Sequence, residues 1–306
     1  MSTTNTIDPI HNSSGDTITR FAFDDCDVRG EMITLTHSLN QAIQHQHLPP
    51  AGKKLLAEFL SAVSLLAGIL KFEGLLTLQI RGDGAVPLIM AEATHERRLR
   101  GIVKIHEGAD LAGLSLHEMI GHGVLSLTID PVKGQRYQGI VPIEGNSIAE
   151  CLSHYFTQSE QLPTKLWLFS DIDTQGNASA GGFFLQGLPA HCNKDPEHTA
   201  DTWLTLHTLA NTLKAEESLR LAHTVQLTRL FHEYTVIIND EVATQFACSC
   251  SQARSENALS AIGSEDAYAL LAEQGTITID CQFCGQKYRL DYADLDRLFG
   301  VDGTQH

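Results

Sequence analysis

The sequence predicts an α+β fold: an N-terminal antiparallel-sheet domain with packed helices, a helical linker region, and a small cysteine-bearing C-terminal domain. Three observations carry this. From residue 18 to 190, strand-like stretches outnumber helical ones and come in pairs flanking short turn-rich segments, the mark of hairpins rather than parallel crossovers. After residue 191 the pattern turns to amphipathic helical periodicity. Four of the seven cysteines then form two tight pairs near the C-terminus.

The elements follow in chain order. "MSTTNTIDPIHNSSGDT" is polar and marks 1–17 as a disordered tail. It has no basic start and no apolar stretch, so no secretory signal is expected. "RFAFDD" and "EMITLT" alternate as strands do, and "HSLNQAIQHQH" places Leu39 and Ile43 one helical turn apart. Pro49 and Pro50 open a long apolar helix, where the missing proline N–H costs little. Only twelve uncharged residues lie between Glu58 and Lys71, short of the roughly 18 a membrane span needs, so this is a core helix. "LLTLQI" and "VPLIMAEA" flank the turn "RGDGA". "GVLSLTID" and "RYQGIVPI" flank "PVKGQ", and "TKLWLFS" and "AGGFFLQGL" flank "DIDTQGNAS", making three hairpins. Between the second and third, Ser147 with Glu150 three residues on forms a capping box ahead of an amphipathic helix. Such hairpins argue for antiparallel sheets with helices packed on one side.

The 191–241 region reads as a helical linker. "DTWLTLHTLANTLKAEE" sets Trp203, Leu206, Ala210 and Leu213 on one face, and "TVQLTRLFHE" repeats the theme. These helices are too few to stand alone, so they lean on the main domain. The last domain, 242–306, holds two short helices, "ARSENALSAI" and "EDAYALLAE", punctuated by Gly263 and Gly275.

Composition narrows the function. The 306 residues carry 37 acidic against 21 basic side chains, a formal charge of −16, which repels phosphate backbones and anionic lipid. No nucleic-acid or membrane partner is therefore expected. Fifteen histidines are scattered rather than clustered. "RGDGA" is too short to cradle a phosphate, and no GxGxxG or Walker pattern occurs. "SLHEMIGHGV" hints at a metalloprotease, but His117 and His122 are five apart where that motif requires four. Gly121 and Gly123 break the helix, so a surface loop is expected instead. No catalytic residue is identified.

Cys248 and Cys250 are separated by one residue and Cys281 and Cys284 by two, with thirty residues between the pairs. In the reducing cytosol, where a chain without an export signal is expected, such pairs point to metal or redox chemistry rather than permanent disulfides. Four thiolates suit tetrahedral Zn²⁺, and Gly285 allows a tight turn beneath the ion. A thioredoxin-like role for Cys281 and Cys284 fits less well, because "GQKYRL" continues as a strand rather than a helix. A disulfide between Cys248 and Cys250 would close so small a loop that it would be strained and easily reduced again. A structural zinc ribbon that binds nucleic acid or protein is the alternative. From Cys248 to Gly300, four basic residues face eight acidic ones, which removes the phosphate attraction a nucleic-acid ribbon needs. Cys151 reads as a core thiol, and Cys26 and Cys192 as incidental exposed ones.

The cysteine pattern resembles the redox-regulated heat-shock holdase family, also called the 33 kDa chaperonin family. So do "VRGE" (28–31), "GDG" (82–84), "RYQGIVPIEG" (136–145), "SEQLPT" (159–164) and "AGG" (180–182), in family order. The resemblance implies one Zn²⁺ per chain on Cys248, Cys250, Cys281 and Cys284. It implies oxidation to the disulfides Cys248–Cys250 and Cys281–Cys284, with zinc release and unfolding of the small domain. It further implies a cytoplasmic, ATP-independent stress-response chaperone, not an enzyme, that captures unfolded or partly folded clients. Such a protein is a monomer when reduced and a homodimer when oxidised. Trp203, Leu204, Leu206, Leu209 and Leu213 are the candidate client-binding residues, expected to be buried at rest and freed on oxidation.

Overall fold

Alternating apolar residues in Thr17–Phe23 and Val28–Leu35 form the strands β1 and β2, paired antiparallel with Ile18 opposite Ile33 and Phe21 opposite Gly30. This is a computed structural model and describes residues 16–189 and 196–300. The expected tail lies outside the described residues up to residue 15, but at its end Asp16 is buried and Thr17 begins β1; Cys192 lies outside the described residues too. Helices α1 (His37–Ile43) and α2 (Pro50–Ile69) follow, then β3 (Gly74–Gly82), β4 (Leu88–Thr94), β5 (Arg98–Lys104) and the short α3 (Leu116–Ile120). Next come β6 (Gly123–Pro131), β7 (Tyr137–Pro142), α4 (Ile148–Ser159), β8 (Thr164–Ile172) and β9 (Ala178–Gly187). Three helices, α5 (Pro196–Ala210), α6 (Ala215–Arg220) and α7 (His223–Leu230), precede β10 (Val236–Ala243) and β11 (Gln245–Phe246). The rest is α8 (Gln252–Ser260), α9 (Ser264–Gln274), β12 (Ile277–Asp280), β13 (Lys287–Leu290) and α10 (Tyr292–Phe299). Contacts divide the chain into two units, Met1–Phe246 and Ala247–His306.

The first unit contains a five-stranded sheet, β10-β1-β2-β9-β8, and a six-stranded sheet, β11-β5-β4-β3-β6-β7. All strand pairs are antiparallel except β11 with β5. The three expected hairpins are present as β3–β4, β6–β7 and β8–β9. Helix α2 begins at Pro50, as the two prolines predict, and packs on strands of both sheets, with thirteen of its twenty residues buried. Gly182 of β9 makes room for it: a Cβ there would sit 2.8 Å from the Leu65 side chain. Among the described residues no helix is long and apolar enough to cross a membrane.

The helices do not keep to one side. The five-stranded sheet is apolar on both faces. Ile18, Ile33, Leu35 and Phe184 join the cluster around α2, while Phe21, Phe23, Met32, Phe183 and Leu185 face the other way. That second face is covered by Leu206 and Ala210 of α5, Leu213 after it, and Leu227 and Leu230 of α7, with Phe231. A sheet with two apolar faces needs a layer on each. The span 191–241 is therefore not wholly helical either. Its β-branched run Val236–Ile238 favours a strand, and β10 pairs with β1 at the sheet edge.

The "GDG" block braces α3. Asp83 Oδ1 accepts the His122 N–H at 2.7 Å, and a Cβ on Gly84 would meet Met119 O at 2.6 Å. Within the expected loop, Leu116–Ile120 instead form this short helix, capped by Ser115 and Glu118 in a reciprocal box and ended by Gly121 at φ +68°. Glu118 is thus engaged as a cap. At α4, Ser147 Oγ accepts the Glu150 N–H as expected, but the Glu150 carboxylate takes the Asn146 N–H at 2.8 Å.

One polar contact pins the helical layer. His223 of α7 is buried, with Nδ1 2.7 Å from Thr19 Oγ1 of β1 and Nε2 2.9 Å from Thr34 Oγ1 of β2. A neutral imidazole satisfies both hydroxyls, one nitrogen donating and the other accepting. Burial pushes its pKa down from 6.5 to about 4. The unfolded chain then takes up the proton first, so this group's contribution is present above pH 6.5 and is lost as pH falls through 4. The full gap corresponds to roughly 3 kcal/mol. Glu31, whose carboxyl burial pushes up to about 7 against the pull of Arg20, titrates in an overlapping range with opposite sign. A His223→Gln variant isolates the imidazole: its denaturation midpoint should fall less than the wild type's between pH 6.5 and 4, and parallel profiles would refute the assignment.

Candidate metal centre

The four paired cysteines occupy two local frames in the second unit. β12 and β13 form a hairpin with Ile279 opposite Tyr288 and Asp280 opposite Lys287, and the connecting loop is "CQFCGQ". Cys281 N–H donates to Gln286 O at 2.9 Å, and Gly285 N–H donates to Cys281 O at 2.8 Å. Gly285 sits at φ +70°, a backbone that side chains resist. This turn brings Cys281 and Cys284 together. The other pair immediately precedes α8, whose N-cap, Ser251, accepts the Arg254 N–H at 3.3 Å. The Arg254 guanidinium also reaches Ser249 Oγ at 2.6 Å, fixing the residue between Cys248 and Cys250.

The two frames converge. Cys248 Sγ is 3.6 Å from Cys281 Sγ and Cys250 Sγ is 3.4 Å from Cys284 Sγ. All four sulfurs lie within 4.8 Å of one another, each half-buried. Sulfurs about 2.3 Å from a tetrahedral zinc are about 3.8 Å apart, close to the spacing seen here, so the cluster suits such an ion. None of the four is in a disulfide. Among the described residues no other group of three or more histidine, cysteine or acidic side chains comes together this way. His117, Glu118 and His122 do not.

The sulfurs differ electrostatically. Burial alone would raise Cys250, but a hydrogen bond from the Tyr288 hydroxyl and contacts with Cys284, Cys248 and Cys281 bring it down to about 7. Burial pushes Cys248 and Cys284 up. Tyr288 is itself pushed up to about 12, chiefly by its bond to Cys250. Tyr288 escaped the sequence reading, which saw only a strand. The signal was present in the register: a residue four after Cys284, on the strand returning from the loop, comes back beside the cysteines.

The remaining candidates separate. Cys151 is buried, and burial pushes its thiol up. Cys26 is half-buried against the sheet face that α5 and α7 cover. Of the client-binding candidates, Leu206 and Leu213 are buried there, and Trp203 and Leu209 pack at its margin. Leu204 is 59% exposed, contrary to the expectation that it is buried at rest. One residue beyond Trp203, it is turned about 100° around the helix, off the buried stripe.

The apolar core of this second unit is small. Leu259, Ala267, Leu271, Ile277, Leu290 and Leu295 are its buried members, few for a unit of this length without a staple.

Comparison with known proteins agrees with this picture. The family model described as Hsp33 protein matches residues 16–291, a span that includes all four clustered cysteines. The chain is 49% identical over 294 residues to the 33 kDa chaperonin of Pseudomonas paraeruginosa, covering 96% of this chain and 97% of that protein. To the 33 kDa chaperonin of Azotobacter vinelandii it is 46% identical over 286 residues, covering 93% and 95%. The crystal structure of the 33 kDa chaperonin from Thermotoga maritima superposes with a TM-score of 0.82, covering 94% of this chain and 100% of that one. At 23% identity this shows a shared fold.

The geometry makes one measurement decisive. Reduced protein titrated with Co²⁺ should take up one equivalent with the intense absorption of thiolate coordination. A Cys281→Ser variant should bind more weakly by more than the roughly 10–100-fold typical of losing an outer hydrogen-bond partner. Unchanged affinity in that variant would undo Cys281 as a ligand.

Proposed function

Because the chain belongs to the Hsp33 family, we propose that it is an ATP-independent holdase switched on by oxidation of Cys248, Cys250, Cys281 and Cys284. The observation that carries this is the convergence of four thiols from two chain segments in a unit with a six-residue apolar core. In the reduced state the four sulfurs hold one Zn²⁺. When bound, the ion supplies folding free energy, about 10–16 kcal/mol apparent in small metal peptides.

Hydrogen peroxide converts a thiolate to a sulfenic acid with release of hydroxide, and the neighbouring thiolate displaces a second hydroxide to form the disulfide. Each pair loses two electrons. With Cys248–Cys250 and Cys281–Cys284 formed, no thiolate ligand remains, and a core of six residues is left to hold the unit alone. Unfolding follows.

The client surface is the apolar face shared by the helical layer and the five-stranded sheet. Trp203, Leu206, Leu209 and Leu213 are at least partly buried there, and β10 continues the same chain segment toward Cys248. Loss of order in the second unit spreads back along this segment, frees α5–α7 and uncovers Phe21, Phe23 and Phe183. Leu204, already exposed, offers a first contact. Unfolded or partly folded proteins are the partners, and the oxidised form pairs as a homodimer while the reduced form is a monomer. The protein works in the cytoplasm, has no catalytic residue, and binds neither nucleic acid nor membrane.

Peroxide with mild heat should release about one zinc per chain, read with a chromogenic chelator. Only the treated protein should suppress light scattering by a heat-denatured client. Equal suppression by reduced, zinc-loaded protein would refute the switch. Zinc release without any gain in suppression would leave the metal purely structural.

A further inference from the structure

We propose that Tyr288 is a positioning residue for the redox chemistry: its hydroxyl holds the Cys250 sulfur and slows oxidation of the Cys248/Cys250 pair. This inference rests on reading the four sulfurs as a metal-holding redox cluster.

Tyr288 lies on β13 opposite Ile279, two residues before Cys281, so the hairpin register returns its ring to the cluster. Its hydroxyl donates to Cys250 Sγ at 3.1 Å, and the residue is half-buried. Hydrogen bonds to a charged acceptor are the stronger kind. A bond of this sort draws on the sulfur lone pair that attack on peroxide requires. Backbone N–H groups can donate to cysteine sulfur too, but no substitution removes them. The Tyr288 bond belongs to a side chain, and phenylalanine deletes only its oxygen.

Both routes to the disulfide meet this bond. In one, the Cys250 thiolate attacks hydrogen peroxide: an S–O bond forms, the O–O bond breaks, and hydroxide leaves. The Cys248 thiolate then attacks the sulfenic sulfur, forming S–S and expelling a second hydroxide. Two electrons pass from the pair to the two peroxide oxygens. In the other route Cys248 is oxidised first and Cys250 is the attacking thiolate of the second step. Either way Cys250 acts as the nucleophile or as the sulfur that is first oxidised, and the Tyr288 hydrogen bond draws electron density from it.

The test uses full-length, zinc-loaded protein and Tyr288→Phe, treated with hydrogen peroxide, quenched with an alkylating agent at intervals and digested. Peptide masses follow each pair separately. The Cys248/Cys250 pair should lose free thiols about 3- to 10-fold faster in the variant, near the lower end of outer-partner effects, while Cys281/Cys284 keeps its wild-type rate. Cobalt-substituted protein should show a shifted thiolate-to-metal absorption. Unchanged rates, or equal acceleration of both pairs, would overturn the proposal, the second outcome marking a merely structural role. If wild-type protein takes up no cobalt, the metal reading falls and this inference with it. If it takes up one equivalent and the variant matches it throughout, only the role of Tyr288 falls.

Discussion

The proposed switch rests on one constraint: the second unit has a small buried core, and its four cysteines are placed where a metal cross-link could supplement it. Six buried apolar side chains must be set against the ordering of some fifty described residues, each costing about 1–2 kcal/mol of backbone entropy alone. The two cysteine frames are local structures, one a hairpin turn and the other a segment leading into a capped helix. They hold their shape through short-range hydrogen bonds. The two frames, thirty residues apart in sequence, meet at the four sulfurs, and they are also joined by the packing of Leu259 with Ile277, Leu290 and Leu295 and by the Arg297–Glu256 ion pair. Under the proposed function, a unit that relies on a metal at this cluster would respond sharply to oxidation there, whereas a fold held by a large core would not.

The first unit shows the contrasting condition. Its main cluster surrounds α2 and joins both sheets, spreading the packing over many residues. The layer of α5, α6 and α7 is thinner. It covers an aromatic face, with Phe23 and Phe231 edge-to-face at 5.1 Å and Phe21 and Phe183 tilted at 5.6 Å. His223 and its two threonine hydroxyls form a buried polar tie between α7 and the sheet. In the proposed function this thin cover over an aromatic surface is the part that opens, while the larger core around α2 stays folded.

The legible and illegible parts of the sequence divide along physical lines. The three hairpins, the Pro50 helix start, the Ser147 cap and the glycine stops at 263 and 275 could be read because each is local. The cysteine pairs were legible because few side chains place soft ligands at such spacing. β5 was not read, since its charged ends mask the strand, and β10 was not, because the helices before it set a helical expectation. The second apolar face of the five-stranded sheet was present in Phe21, Phe23 and Met32 but looked like ordinary alternation. Leu204 was misplaced because a run of apolar residues hides helical phase. Tyr288 was missed because its role depends on register across the hairpin, which no single segment displays.

The same distinction bears on which thiols suit the proposed trigger. Cys151 is buried in the core, and burial opposes the thiolate that an oxidant attacks. Oxidising it would also place a polar group among apolar neighbours and damage the unit that must persist. The four clustered sulfurs are half-buried instead, open enough for a small peroxide. Each already has a partner at the close sequence spacing that favours a disulfide over further oxidation. The spacing matters for the return as well. A ring closed across the single residue Ser249 is strained and easily reopened, so the pair most restrained by Tyr288 is also the pair that a reductant should restore most readily. In this reading slow closure and easy reopening act together, and both favour the reduced, folded state unless oxidant persists.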